Sequence, residues 1–248
     1  MKKALSMLLV MVMTLACLSG AAMADSDKYL GVMLSTNVMS LDTNLATDGE
    51  SFEVIADCID GLMQMDATGA SIPALAESYD MSEDGLTYTF HLRDAKWSNG
   101  DAVTAADFVF GWHRAVDPAT ASEYSYMLSD IGQIVNAAEI IAGEKPVTDL
   151  GVSAVDDKTL EVQLNVPVSY FLSLMYFPTF YPVNEAFYNS CADTFGTSPD
   201  TVLSNGAFKL TDYQPAATAF TLEKNPDYYD ADKIALDSLA YQVIKDSQ

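Results

Sequence analysis

The chain has 248 residues, 35 of them acidic against 12 basic, a formal charge of −23, and half of its residues are hydrophobic. Such an excess of negative charge repels nucleic acid and anionic membrane surfaces, so neither is expected as a partner. The acidic residues are spread along the chain and the apolar content is high, which describes a folded protein with a solvated acidic surface and not a disordered acidic tail.

Residues 1–24 have the make-up of a secretory signal peptide: Lys2 and Lys3, an apolar run from Ala4 to Leu18, and small residues at Ala22-Met23-Ala24. Cleavage after Ala24 starts the mature chain at Asp25 and leaves 10 basic residues against 35 acidic, a formal charge of −25. A lipoprotein processed at Cys17 is the alternative, although Thr14-Leu15-Ala16 matches a lipidation box poorly. Only Cys58 and Cys191 then remain, and their separation in sequence leaves open whether they pair. His91 and His113 stand at no metal-ligand spacing with them, so no metal and no cofactor is expected.

Tyr29 to Thr36 is an apolar strand candidate, followed by a loop from Asn37 to Asp48 rich in Ser, Asn, Asp and Thr. From Ser51 the spacing of Phe52, Ile55, Ala56, Ile59 and Leu62 is helical, ending between Gly61 and Asp66, and Asp48-Gly49-Glu50-Ser51 has the form of a helix cap. In Leu86 to Leu92 apolar Tyr88, Phe90 and Leu92 alternate with Thr87, Thr89 and His91, the period of a strand buried on one face. Asn99-Gly100 turns the chain, and Thr104 opens a helix from Ala105 to Val116. Phe108, Trp112 and Ala115 share one stripe of that helix, and Asp117-Pro118 stops it.

Further on, Ile131 to Ala142 is expected as a helix closed by Gly143, and Val152–Val155 with Leu160–Leu164 as a hairpin around Asp156-Asp157-Lys158. The aromatics between Tyr170 and Phe187 suit a core. Asn205-Gly206 turns into a strand, Phe220 and Leu222 belong to another that Asn225-Pro226 ends, and Leu239–Ile244 is a last one. Interleaved strands and helices give an α/β, mixed α+β, fold class.

The wording of several stretches carries more. Tyr88-Thr89-Phe90-His91-Leu92-Arg93, Ala95-Lys96-Trp97-Ser98, Val103-Thr104-Ala105, Asp107-Phe108-Val109, Trp112, Arg114 and Asp117-Pro118-Ala119-Thr120-Ala121-Ser122 closely resemble the signature of extracytoplasmic solute-binding proteins, family 5, of peptide ABC transporters. Asp149-Leu150-Gly151-Val152 resembles their oligopeptide-binding members, and Asn205–Leu210 and Leu222–Tyr229 extend the likeness.

The resemblance implies a periplasmic-binding-protein-like type II lobe in which residues 25–58 and 185–248 form a discontinuous domain and 59–184 an inserted second domain. It implies oligopeptides as ligands, membrane permease subunits of an ABC transporter as partners, a monomer in the periplasm or at the cell envelope surface, and no enzymatic activity. By the same resemblance Thr47, Asp48 and Gly49 lie along the peptide backbone, Tyr124 reaches the peptide from the second domain, and Phe177 lines the pocket. Members of the family are much longer than this chain, so a truncated form is expected, with the second lobe missing and weaker binding than a complete receptor. Dipeptide or other solute specificity within the family, a secreted hydrolase and a peptide-sensing surface receptor are the alternatives. No Gly-x-Ser-x-Gly or His-Glu-x-x-His arrangement supports a hydrolase.

Overall fold

The computed structural model describes residues 28–244, so the leader at 1–24, with Cys17, lies outside the described residues. Strands β1 (Tyr29–Leu34), β8 (Phe208–Leu210), β9 (Ala219–Lys224) and β10 (Ser238–Val243) form one sheet in the order β1-β10-β9-β8, with β1 parallel to β10. The registers Leu239↔Leu222 and Tyr241↔Phe220 put four apolar side chains on one face, where the Phe220 and Tyr241 rings stack 4.9 Å apart. Helix α1 (Gly49–Cys58) contributes Val54, Ile55 and Cys58 to the same core. The first strand was expected as an apolar strand, yet it is an edge with one neighbour: Tyr29, Leu30 and Met33 are exposed and only Leu34 is buried.

A second sheet, order β4-β5-β7-β6, is antiparallel throughout: β4 (Ala76–Met81), β5 (Thr87–Leu92), β6 (Val152–Asp156) and β7 (Thr159–Gln163). Tyr88, Phe90 and Leu92 point to its core with Leu160 and Val162, as the alternation requires. Helix α2 (Ala105–Val116) lies against β6 and β7, and Phe108, Trp112 and Ala115 are fully buried. Its start is held by Asp107, whose carboxylate accepts from the Thr104 backbone N–H at 2.8 Å and from Trp97 Nε1 at 3.1 Å, while burial raises its pKa. In the preceding turn only Gly100 takes a left-handed φ, +94°, which lets its N–H reach Trp97 O at 2.8 Å.

Two helices are shorter than their sequence pattern. The first ends at Cys58, where Ile59 turns to extended geometry, and Leu62 belongs to the approach to a small hairpin of β2 (Met63–Met65) and β3 (Ser71–Pro73). At that end Cys58 O accepts from Asn205 N–H and Gly206 N–H, and Asp60 N–H donates to Asn205 Oδ1, so long-range bonds replace the next helical turn; at Gly61 the chain then passes so close to the Met175 carbonyl oxygen that a Cβ would collide with it. The buried stripe of α1 is Ser51, Val54, Ile55 and Cys58, which leaves Ala56 exposed and Phe52 only partly buried.

The expected helix from Ile131 is likewise reduced, to α3 (Ala137–Ile141). Before it Met127–Ile131 forms a π-helical turn closed by Gly132 N–H to Met127 O, and Gln133 and Asn136 take left-handed φ. There Val135 N–H donates to Gln163 O at 2.9 Å and Val135 O accepts from Gly151 N–H at 2.8 Å, so pairing with the neighbouring sheet overrides local helix propensity. Gly143 does follow α3 with a φ of +74°.

The buried apolar residues fall into two clusters. One holds the β1-β10-β9-β8 sheet, α1 and Tyr181; the other runs from Leu62 to Phe180 and takes in Leu203. The seam is fastened by hydrogen bonds: Asp60 N–H to the Asn205 side-chain Oδ1 at 2.7 Å, and between backbones Gly206 N–H to Cys58 O at 2.9 Å and Ser98 N–H to Ser204 O at 2.7 Å. Cys58 and Cys191 are both free, and burial pushes the Cys58 thiol up to about 12. Among the described residues no helix is long and apolar enough to cross a membrane.

Candidate functional site

The loop that leads into α1 is rigid for a local reason. Asp48, in extended geometry, caps the helix: one carboxylate oxygen accepts from Ser51 N–H at 2.8 Å and the other from the Ser51 hydroxyl at 2.7 Å. The Ser51 hydroxyl oxygen in turn accepts from Met39 N–H at 3.0 Å and Ser40 N–H at 3.3 Å, which ties the far side of the loop to the same point. The Asp48 side chain is therefore occupied within the protein, while Thr47 and Gly49 are exposed.

One helical turn beyond Gly49 stands Phe52, and it meets the two aromatic residues singled out from distant parts of the sequence. Its ring centroid lies 5.4 Å from Tyr124 at 81° and 5.0 Å from Phe177 at 61°, and Tyr124 and Phe177 are 5.3 Å apart. All three rings are partly exposed. Tyr126, 43 % exposed, stacks on Tyr124 at 5.8 Å. Phe52 packs on the edge of one core and Phe177 on the edge of the other, so the triangle of rings spans the seam.

Tyr124 is presented by a tight loop. The Asp117 carboxylate accepts from Ala119 N–H at 2.9 Å, and Ala121 adopts a φ of +55°, a left-handed conformation that costs a residue with a Cβ about 1–2 kcal/mol. Met127 N–H then donates to Tyr124 O at 2.9 Å, leading into the π-helical turn.

Beneath the loop at 42–46 lies a buried charge pair that sequence spacing did not single out. Arg114, on α2, donates from Nη2 to Asp42 Oδ2 at 2.8 Å, and from Nη1 to Asn44 Oδ1 at 2.8 Å and Asp42 Oδ1 at 3.2 Å. Its guanidinium also lies 4.0 Å from the centre of the Tyr188 ring. Arg114 was legible as part of a motif, but nothing local in sequence pairs it with Asp42. A cleft of about 610 Å³ opens on this side, lined by Arg114, Asp117, Tyr188, Asp193 and Phe195 among others, and it includes none of Thr47, Asp48, Gly49, Tyr124 or Phe177.

A second polar cluster sits on the seam. Asp60 Oδ2 accepts from Tyr229 OH at 2.7 Å and Tyr228 OH at 3.1 Å, and the Arg93 guanidinium lies 4.2 Å from the centre of the Tyr229 ring. Burial raises the Asp60 pKa to about 6, against the two tyrosine hydrogen bonds, which lower it.

Comparison with known proteins identifies the family. A family model described as bacterial extracellular solute-binding proteins, family 5 Middle, matches residues 70–248. The chain belongs to family 5 of the bacterial extracellular solute-binding proteins. It is 41 % identical over 207 residues to the periplasmic oligopeptide-binding protein OppA of Escherichia coli, and 37 % identical over 227 residues to a dipeptide-binding protein of Lactococcus lactis. Those alignments take in 83 % and 90 % of this chain but 37 % and 41 % of the relatives. The structure of Listeria monocytogenes OppA bound to peptide superposes with a TM-score of 0.85 at 40 % identity, covering 89 % of this chain and 43 % of that one. This solute-binding protein thus spans about two fifths of the length of the relatives it matches.

Proposed function

We propose that this family 5 protein is the substrate-binding component of an extracytoplasmic oligopeptide ABC importer, holding extended peptides against the surface formed by Thr47, Asp48, Gly49, Tyr124 and Phe177. The observation that carries the proposal is the meeting of Tyr124 and Phe177 at Phe52, one turn beyond the loop that Asp48 caps. Segments far apart in sequence converge there on a partly exposed aromatic surface beside an exposed backbone. In an extended ligand the main chain is common to every peptide, so the backbone at Thr47 and Gly49 and the Tyr124 hydroxyl supply contacts indifferent to side chain. Asp48 contributes by fixing the loop, since its carboxylate is spent on Ser51.

The binding is non-covalent and reversible: the protein is a carrier and not an enzyme, and it works as a monomer delivering its ligand to membrane permease subunits. Residues 59–184 act as the inserted domain and 25–58 with 185–248 as the discontinuous one, a division supported by the two apolar clusters and the polar seam between them. The protein works outside the cytoplasm, in the periplasm or at the envelope surface, after removal of residues 1–24.

A tripeptide to pentapeptide series carrying benzoylphenylalanine tests this. Irradiation should label the segments around Thr47–Gly49, Tyr124 or Phe177, excess unlabelled peptide should suppress the labelling, and the peptide should be recovered uncleaved. Labelling confined to other surfaces, or cleavage of the peptide, would overturn the proposal.

A further inference from the structure

Phe52 packs only against the edge of the α1 core. The face that α1 buries is Ser51, Val54, Ile55 and Cys58, and Phe52 lies off that stripe, between buried Ser51 and exposed Glu53. An aromatic ring held partly in water by two other partly exposed rings is a costly use of apolar surface unless something covers it. Beside it the apolar surface continues to Tyr126, which is 43 % exposed and stacks on Tyr124.

We propose that Phe52 is a specificity-determining residue, forming with Tyr124 and Phe177 a subsite that favours peptides with an aromatic side chain over those with a small or charged one. This rests on the peptide-binding reading above and refines it, since main-chain contacts alone distinguish no side chains. The geometry favours an aromatic guest over a cation. Phe52 stands edge-to-face with Tyr124 and Phe177, and Tyr126 lies within 28° of parallel to Tyr124. In each edge-to-face pair one ring's edge takes up a face of the other, a face that a cation would need open. An aromatic guest can meet either an edge or a face, at the same 4.5–7 Å spacing the three rings already keep.

The test is a set of NMR titrations of the isotopically labelled full chain with Ala-Phe-Ala, Ala-Leu-Ala, Ala-Ala-Ala and Ala-Lys-Ala, repeated for Phe52→Leu. Leucine keeps the apolar bulk and removes the ring, and the dispersion of the spectrum shows whether the variant is folded. Ala-Phe-Ala should bind about five- to tenfold more tightly than Ala-Ala-Ala. The shifts should centre on residues 47–52, Tyr124 and Phe177, and Phe52→Leu should bring the ratio below about twofold. Four equal affinities with shifts at Tyr124 and Phe177 would overturn the selectivity and leave the peptide-binding reading standing. A preference for Ala-Lys-Ala, or a Phe52→Leu variant that weakens all four peptides by one factor, would also overturn it. No binding of any peptide would overturn both.

Discussion

Arg114 and Asp42, 72 residues apart, face each other as a two-bonded buried pair, with Nη2 to Oδ2 at 2.8 Å and Nη1 to Oδ1 at 3.2 Å. The pair joins α2 to the loop that precedes the α1 cap. Replacing Arg114 by Leu strands the Asp42 carboxylate in a site 2 % exposed, and is expected to cost about 3–5 kcal/mol of stability. Changing Asp42 to Leu at the same time should recover part of that loss, because no charge is then left unpaired. Denaturant midpoints of the single and double variants check this. Amide exchange should quicken at Leu45 and Ala46, whose N–H groups both donate to Asp42 O.

Trp112 is fully buried, stands edge-on to Phe180 at 5.4 Å, and donates from Nε1 to Phe180 O at 2.9 Å. Trp112→Ala should therefore lower stability by about 3–5 kcal/mol, the range for removing a large buried aromatic. Trp112→Phe should cost less but still about 1–3 kcal/mol, since the Phe180 carbonyl loses its donor inside the core. Thermal melts of the two variants against the parent measure both; a parent-like melt for Trp112→Ala would contradict the packing.

The Asp60 cluster predicts a pH dependence with a defined sign. Burial raises the Asp60 pKa from 3.8 to about 6, so between those values the folded protein holds a proton that the unfolded chain has released. Its contribution to stability is fully present below 3.8, falls as pH rises through about 6, and is gone above that. Asp60→Asn keeps a carbonyl oxygen for Tyr228 and Tyr229 and removes the titration. The difference in stability between parent and variant, followed by urea denaturation, should change between pH 4 and 6 and be flat from pH 7 to 8.

For Asp48 the expected penalty is in the fold. Asp48→Ala removes the acceptor for Ser51 N–H and should cost about 1 kcal/mol, while Asp48→Asn, which still caps, should cost only a few tenths. The same ordering should appear in peptide affinity, with Asp48→Asn weakening binding less than Tyr124→Ala, because the carboxylate already has its partners inside the protein. Isothermal titration of the three variants separates these effects.

Local sequence was enough wherever one element's own chemistry settles its shape. The alternation of Tyr88, Phe90 and Leu92 specified a one-faced strand, Thr104 and Pro118 bracketed α2 to the residue, and Gly100 and Gly143 stand at left-handed turns where a Cβ would be strained. The signature between Tyr88 and Ser122 likewise carried the family, because its order of residues is intact in the chain. Long-range contact decided the rest. Cys58 O takes its hydrogen bonds from Asn205 and Gly206 where α1 ends, and Val135 gives up a helix to pair with Gln163 and Gly151. The apolar spacing in α1 pointed to Phe52 as core, but which side of a helix is buried depends on what arrives to cover it, and here Ser51 and Cys58 took that place. The candidate site depends most on this, since Phe52, Tyr124 and Phe177 meet only because two separately packed cores share a seam, and Arg114 finds Asp42 only because α2 passes beneath a loop 72 residues earlier in the chain. Rings and charges interact through space over a few ångströms, and no spacing along the sequence encodes that distance.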